Sequence, residues 1–315
     1  MADTRRPWAP RAGAASSAAL LALLIAGCSV RQMAVNALGD ALAEGGGVYA
    51  SDGDPDLVRE AIPFGLKTIE GLLAQSPDHE GMLLAAASGF AGYAFLLQQE
   101  AAFIEAKDPD ESRRLRVRAS ALFLRGRDYA LRGLDLRHVG FGALVREDPG
   151  TALAATTLED AALLYWAGAA WAGALGADNR NLDLLAELST AAALVDRVLE
   201  LDERYDDGAA HEFFVSYEAG RPGGDMATAR AHFARALDLS GGKRASVYLA
   251  LAEGVAVQEQ NLPEFRALVA AALAVDPEST PELRLVNTLA RRRAEWLEAR
   301  IPDHFFDLDQ GEPSS

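Results

Sequence analysis

The 315-residue sequence contains a single cysteine, Cys28, and only 5 histidines. One cysteine cannot form an intramolecular disulfide, and no two histidines have the spacing of a metal site. The chain also lacks a Gly-x-Ser-x-Gly nucleophile elbow and a phosphate-binding loop ending in Gly-Lys-Ser/Thr. We therefore predict no catalytic residues, no metal and no cofactor, and we do not expect the protein to be an enzyme.

Basic residues are also in short supply. The chain has 30 Lys and Arg against 46 Asp and Glu, for a formal net charge of −16. Nucleic-acid binding relies on clustered cations that displace counterions, so nucleic acid is not an expected partner. The same charge disfavours electrostatic attachment to anionic lipid, so any membrane attachment would need acyl chains.

The position of the lone cysteine suggests such an anchor. A basic start with Arg5, Arg6 and Arg11 precedes a short apolar run that ends in Ile25-Ala26-Gly27-Cys28. This ending resembles the bacterial lipobox, in which the signal is cut just before a cysteine that carries lipid such as palmitate. We predict a signal peptide over residues 1–27 and lipidation of Cys28. The protein would lie at the periplasmic face of a bacterial membrane, and Ser29 favours the outer over the inner membrane.

Strand patterns are nearly absent, whereas helix starts and helical stripes are frequent. Asp54-Pro55, Asp108-Pro109 and Thr280-Pro281 each place a capping oxygen before a proline at a first helical position. Apolar residues then recur at helical intervals, as in the two stripes Leu185, Leu188, Ala192, Val195, Leu199 and Leu262, Phe265, Val269, Ala272. The predicted fold class is all-α.

The helices also repeat. "LLAQSPDH" at 72, "ALVREDPG" at 143, "ALDLSGGK" at 236 and "ALAVDPES" at 272 share a helix end, a polar turn and a helix start, and "VLELDERY" at 198 is a looser copy. A period in the mid-thirties predicts a solenoid of helical hairpins of the tetratricopeptide (TPR) type. The predicted organisation is a signal peptide (1–27), an anchor segment and linker (28–56), a TPR-like helical domain (57–300) and a C-terminal tail (301–315).

Two stretches, 81–97 and 161–177, contain no charged residue across 17 positions each. A helix that is apolar on every side must be surrounded, and both stretches are too short and too rich in Ala and Gly for a typical membrane span. They could be central helices packed through small residues. Alternatively, their aromatic residues could line an apolar cavity, with Phe90, Tyr93, Phe95, Tyr165, Trp166 and Trp171 as candidates.

Two basic clusters interrupt the acidic background: Arg113, Arg114, Arg116 and Arg118, and Arg291, Arg292 and Arg293. Such runs usually form solvated helix faces paired with acids three or four residues away, as Glu111 and Arg114 would be. The alternative is contact with an acidic partner protein or with the anionic head group of a ligand.

The chain resembles the TRAP-transporter-associated TPR lipoproteins, the TatT family. The resemblance rests on "RQMAVNALGDALA", "YASDGDPDLVREAIPF", "LLAQSPDHEGMLLAAASGFAGYA", "LLYWAGAAWAGAL", "LVDRVLELDERYDDGAAHEF" and "RLVNTLARRRAEWL". It implies a periplasmic lipoprotein of a tripartite ATP-independent (TRAP) transport system that docks a substrate-binding protein. It also implies a homotrimer with a central pore or cavity suited to a small apolar ligand.

Two functions are compatible with these features. The preferred hypothesis is an accessory protein that docks the substrate-binding protein and handles an apolar or amphipathic small ligand. The alternative is a TPR scaffold lipoprotein for envelope complexes that binds no ligand, in which the uncharged helices are only core or oligomer interface.

Overall fold

The computed structural model describes residues 35–41, 46–178 and 180–306. Across these residues the chain forms α-helices and short 3₁₀ or π turns, without a strand. The predicted all-α class is therefore confirmed. The predicted signal peptide, Cys28 and residues 307–315 of the predicted tail lie outside the described residues.

Consecutive helices pack side by side through much of the described part. The helices are α1 (35–41), α2 (Gly46–Ala50), α3 (Pro55–Leu73), α4 (Glu80–Ile104), α5 (Pro109–Arg137), α6 (Phe141–Glu147), α7 (Pro149–Ala154), α8 (Ala161–Ala177), α9 (Leu182–Ala186), α10 (Leu188–Leu201), α11 (Ala209–Gly220), α12 (Met226–Ser240), α13 (Ala245–Leu251), α14 (Leu262–Ala274), α15 (Arg284–Glu298) and α16 (Ile301–His304). Neighbours such as α4 and α5 or α11 and α12 contact each other extensively. All five repeated segments lie where one helix ends and the next helical turn begins.

Two of the three predicted helix starts have the expected capping chemistry. The Asp54 carboxylate accepts hydrogen bonds from the backbone N–H groups of Asp56 and Leu57, at 3.0 and 3.1 Å. Asp108 accepts from the backbone N–H of Glu111 at 3.0 Å. In both cases a proline occupies the first helical turn, where its missing N–H leaves no intrahelical bond unmade.

The third predicted start differs. The Thr280 side chain makes no capping bond, and Pro281–Leu283 forms a 3₁₀ turn before α15 begins at Arg284. Pro281 is the first residue of this tighter turn, and the longer helix begins only after it.

Helices α4 and α8, which contain the two uncharged stretches, lie at the centre of the fold. Helix α4 packs against α3, α5 and α8, and α8 packs against α4, α5 and α10. Although α4 is long and apolar enough to cross a membrane, 56% of its most apolar window is buried inside the protein. Small residues allow the close packing: a Cβ added at Gly126 of α5 would lie 2.8 Å from the Ala87 carbonyl oxygen of α4. These contacts favour central packing for α4.

The buried apolar side chains form two clusters that meet within α11. The first extends from Leu66 on α3 to Phe214, and the second from Val215 to Phe305. Because Phe214 and Val215 are consecutive, α11 contributes one face to each cluster. Helices α10, α12 and α13 pack against α11.

The last long helix contacts the first ones. The Arg284 guanidinium of α15 donates to the Ser51 carbonyl oxygen at 2.9 Å, and Arg292 pairs with Asp56 at 3.1 Å. The Phe103 and Trp296 rings lie 6.0 Å apart between α4 and α15. The N-terminal and C-terminal parts of the described chain are therefore held together directly.

Candidate functional site

Among the six predicted cavity residues, those on α4 contact a neighbouring helix or face solvent. Phe90 is 3% exposed and stacks on Tyr129 of α5 with ring centroids 5.7 Å apart. Tyr93 is also buried, and its hydroxyl accepts a hydrogen bond from Arg118 Nη2 at 3.2 Å. Phe95 is 40% exposed. The α4 aromatics therefore do not share one opening.

Trp171 of α8 is buried in the core, with 1% of its surface exposed. Its Nε1–H donates to Glu187 Oε2 at 2.9 Å, so the polar tip of the ring is satisfied. The guanidinium carbons of Arg127 and Arg146 lie 4.7 and 4.8 Å from the ring centre. These contacts fit a packed residue that joins α5, α6 and α8.

Tyr165 and Trp166, one turn earlier on α8, are only half-buried. Tyr165 contacts the Trp166 ring edge-on at 5.3 Å and the Tyr205 ring at 5.2 Å. Tyr205 comes from the short turn that follows α10. The three rings form a small aromatic wall with surface left uncovered.

A buried arginine interacts with the two tyrosines of this wall. Arg244, which precedes α13, is only 8% exposed and donates through Nη2 to the Asp206 carbonyl oxygen at 3.0 Å. The same nitrogen lies 3.0 Å from the Asp206 carboxylate. We call the whole arrangement the aromatic–polar recess, which comprises Tyr165, Trp166, Tyr205, Glu212, Arg244 and Ser246.

The ionisable side chains of the recess influence one another's pKa values. Burial raises the pKa of the Tyr165 hydroxyl, and the nearby charges of Glu212 and Asp206 raise it further. Burial also raises the pKa of Glu212, whereas the positive charge of Arg244 and a hydrogen bond with the Ser246 hydroxyl lower it to a smaller extent. Both Tyr165 and Glu212 nevertheless retain partial solvent exposure of the residue as a whole.

The turn beside Arg244 has an unusual backbone. Asp206 and Asp207 have φ angles of 44° and 54°, and Gly208 follows at 87°. Consecutive left-handed residues other than glycine are uncommon and are found where the surroundings hold them in place. Here the Arg244 guanidinium binds both the carbonyl and the carboxylate of Asp206, and this contact holds the turn.

The two predicted arginine clusters have partners within the chain. In the first cluster, Arg113 pairs with Asp110, Arg114 with Glu111, Arg116 with Glu105, and Arg118 with the Tyr93 hydroxyl. In the second, Arg291 donates to the Leu273 carbonyl oxygen, Arg292 pairs with Asp56, and Arg293 with Glu253. Such pairing fits a solvated helix face, and contact with a partner protein stays a prediction.

Some of these arginines also line grooves away from the recess. Arg113 and Arg116 border a groove of about 300 Å³ where α5 begins and α8 ends. Arg292 borders a groove of about 400 Å³ between α3, α4 and α15. Neither groove is lined by any of the six predicted aromatic residues.

A profile for the TRAP transporter T-component (TAtT) matches residues 51–305, which covers both clusters and the recess. The chain belongs to the TRAP transporter T-component family. The predicted resemblance is thus confirmed, and the protein is an accessory component of a TRAP transport system. It is also similar to an uncharacterized protein of Treponema pallidum (strain Nichols), with 29% identity over 307 residues that cover 90% of this chain and 95% of that protein.

In this family member, the described residues contain no group of three His, Cys, Asp or Glu side chains suited to a metal ion. Sequence reasoning missed Tyr205, Glu212, Arg244 and Ser246. A usable signal was the lone acid Glu212 within "AAHEFFV", a mostly apolar stretch of α11. Arg244 has no such local signal, because its partners lie on distant elements.

We expect Glu212 to make stability depend on pH. Its pKa in the native protein lies above the value of 4.5 for an unperturbed Glu because of burial. Between these two pKa values the native state keeps a proton that the unfolded chain has lost, so the free energy of unfolding falls as pH rises. Glu212→Gln should remove this fall, as urea unfolding at pH 5 and pH 8 would measure.

Glu264 provides a control of opposite sign. Its hydrogen bond with Arg230 lowers the pKa of Glu264, so its contribution is present above pH 4.5 and is lost as pH falls through the lowered pKa. Glu264→Gln should leave the change between pH 5 and pH 8 as in the wild type, because its partners Arg230 and Asn261 do not titrate in that range. The free energy of unfolding of Glu212→Gln could instead still fall by the wild-type amount between pH 5 and pH 8. Glu212 would then not be protonated more readily in the native state than in the unfolded chain.

Proposed function

We propose that this TRAP transporter T-component is a periplasmic lipoprotein that docks a substrate-binding protein and handles an apolar or amphipathic small ligand. The observation that carries the proposal is the aromatic–polar recess. Tyr165 and Trp166 offer uncovered aromatic surface, which apolar groups bury favourably at about 25 cal/mol per Å². The protein would act by transfer, with the ligand passing between the recess and the docked binding protein and no bond being made or broken.

The proposed architecture is a TPR-like array of helical hairpins assembled into a homotrimer around a central pore or cavity. The recurrence of helix–turn–helix units at the five repeated segments supports the hairpin array. Apolar side chains on the surface, such as Phe64 at 80% and Val139 at 99% exposure, are compatible with contacts between subunits.

Native mass spectrometry of the full protein, extracted from membranes into nanodiscs, tests ligand handling. We expect a small apolar or amphipathic adduct that is lost when Trp166 is replaced by Ala. Phe95→Ala is a matched control, because Phe95 is also partly exposed but lies outside the recess. An empty protein after gentle extraction, with no adduct acquired from added lipid extract, would contradict ligand handling.

The ligand-free scaffold is the second candidate. It is favoured by the burial of Phe90, Tyr93 and Trp171, which function as core residues in the described fold. Under this alternative, Trp166→Ala would change no small-molecule adduct and would affect only stability or assembly. The adduct measurement above therefore separates the two candidates.

Docking of the substrate-binding protein can be tested at the exposed arginines. Arg113→Glu with Arg114→Glu is expected to weaken an acidic partner's binding about tenfold, through reversed charge at the contact. Surface ion pairs contribute only about 0–1 kcal/mol to stability, so the fold should tolerate the change. Arg266→Glu, on exposed α14 surface, is the matched control. Equal affinity of both variants and the wild type in sedimentation experiments would exclude this cluster.

The proposed anchor is tested by fractionation. Cys28→Ala should move the protein from the membrane pellet to the soluble periplasmic fraction, because no acyl chain could be attached. A separation of inner and outer membranes would locate the wild-type protein, for which we propose the outer membrane.

A further inference from the structure

The groove between α3, α4 and α15 has the size of a small-molecule site. Its volume of about 400 Å³ lies within the range of about 300–1,000 Å³ that is usual for such sites. Leu96 and Phe103 of α4 are seven residues apart, as are Leu289 and Trp296 of α15, so each helix presents one face to the groove. The start of α3 closes the third side.

The apolar wall of the groove has uncovered surface. Phe103, Leu289 and Trp296 are only half-buried, and the two rings lie 6.0 Å apart between α4 and α15. The guanidinium carbons of Arg293 and Arg300 already lie 4.3 and 4.7 Å from the centre of the Trp296 ring. Because the protein's own cations contact this ring, a ligand would meet the wall with its apolar part and not with its charge.

The charged residues of the groove leave one carboxylate without a partner. Arg59 Nη1 lies 3.0 Å from Glu100 Oε2, and Arg292 Nη1 lies 3.1 Å from Asp56 Oδ2. Glu295 also lines the groove and is exposed, but its carboxylate has no hydrogen-bond or ion-pair partner among the described residues. The groove therefore carries one uncompensated negative charge that a ligand can reach.

Gln99 adds a second acceptor at the same groove. It borders the groove from α4, and its Oε1 is buried without a hydrogen-bond partner in the described part of the chain. Buried polar atoms of native proteins nearly always have a partner. The terminal amide turns about a soft bond, so this oxygen can be directed into the groove. Both acceptors match a ligand that presents hydrogen-bond donors.

We propose that this groove binds a small amphipathic amine, whose ammonium group donates to the Glu295 carboxylate and to Gln99 Oε1 while its apolar chain covers Phe103 and Trp296. An ammonium group supplies three donors and the one positive charge that the groove lacks. A carboxylate ligand is disfavoured, because it would place a second negative charge beside Glu295. The groove shares no residue with the aromatic–polar recess, so this site is additional to the one that carries the proposed function.

The test compares hexylammonium with hexan-1-ol and hexanoate, three soluble probes of equal chain length. Each is titrated at pH 7 and low salt into the full protein in nanodiscs of zwitterionic lipid while tryptophan fluorescence is recorded, with empty nanodiscs as the blank. Hexylammonium is charged at this pH, as a lysine side chain is. We expect it to bind about fivefold more tightly than hexan-1-ol, which is the advantage of an exposed ion pair at low salt, and we expect hexanoate to bind most weakly.

Four variants locate the probe and its charge contact. The fluorescence change should be lost in Trp296→Phe and retained in Trp166→Phe, which assigns it to the groove and not to the recess. Glu295→Gln keeps the shape of the side chain but removes its charge, so the preference for hexylammonium over hexan-1-ol should disappear. Because the Glu295 carboxylate has no partner in the described chain, this variant should unfold in urea like the wild type. Glu298→Gln is the matched control, since Glu298 is also exposed on α15 but does not border the groove.

Several results would overturn this inference. Equal affinities of hexylammonium and hexan-1-ol, or no binding of either, would mean that Glu295 recognises no amine. An equal loss of preference in Glu295→Gln and Glu298→Gln would assign it to the negative charge of the surface as a whole. Tighter binding of hexanoate would indicate recognition by Arg292 instead. A signal lost in Trp166→Phe but kept in Trp296→Phe would place the amine in the recess. The adduct measurement with Trp166→Ala tests the proposed function separately, so each proposal can fail without the other.

Discussion

Replacing Trp171 with Ala is expected to lower the free energy of unfolding by about 3–5 kcal/mol, the usual loss for a buried tryptophan. The ring is 1% exposed and joins α8 to the arginines of α5 and α6. Its removal would leave a cavity and would also deprive Glu187 of the hydrogen bond from Nε1. Urea unfolding of the wild type and the variant, followed by far-ultraviolet circular dichroism, measures the difference.

Two further substitutions show which interaction is lost. Trp171→Phe keeps most of the packing but removes the Nε1–H donor, so we expect a smaller loss of about 1–2 kcal/mol. Trp166→Ala, at a half-buried position on the same helix, should also cost less than Trp171→Ala because fewer contacts are removed. A Trp171→Ala protein with wild-type stability would mean that this ring lines open space, as the cavity alternative supposes.

Local rules predicted the helical class and several helix starts well. Asp54 and Asp108 cap their helices because a side-chain oxygen and a following proline act over three residues, without help from the rest of the fold. The uncharged character of α4 likewise required surrounding atoms, and α3, α5 and α8 provide them. Each of these predictions depends only on residues that are close together in the sequence.

Near Leu185 the apolar stripe predicted a continuous helix, and the structure differs because of a tertiary contact. The apolar stripe predicted one helix through Leu185 and Leu188, but α9 ends at Ala186 and α10 begins at Leu188. Glu187 lies between them, and its carboxylate accepts the hydrogen bond from Trp171. A contact 16 residues away in the chain is not visible in a helical periodicity.

The candidate site could be predicted only in part for the same reason. The absence of charged residues distinguished α8 from most of the other helices, but it could not show that Tyr165 and Trp166 are half-buried while Trp171 lies in the core. That difference depends on Tyr205 and Arg244, which reach α8 from turns elsewhere in the fold. Spacing predicted the pair of Arg114 with Glu111, three residues away, but it could not show that Arg116 pairs with Glu105, 11 residues away.

Gly168→Ala is expected to lower the free energy of unfolding by about 1–3 kcal/mol, although alanine is the better helix former. A Cβ at position 168 would lie 2.6 Å from the Ala191 carbonyl oxygen and 2.6 Å from Val195 Cγ2. The first of these atoms belongs to the backbone of α10, so it cannot move aside by rotating a side chain. The two helices would have to separate, and the core between them would lose contacts.

Gly92→Ala supplies the matched control within α4. A Cβ there would meet no atom within 4 Å, so the substitution should raise the free energy of unfolding by up to about 1 kcal/mol through lower backbone entropy in the unfolded chain. The same chemical change is therefore expected to have opposite signs at the two positions. If urea unfolding showed both variants to be stabilised equally, α8 and α10 would not approach as closely as the Gly168 contact requires.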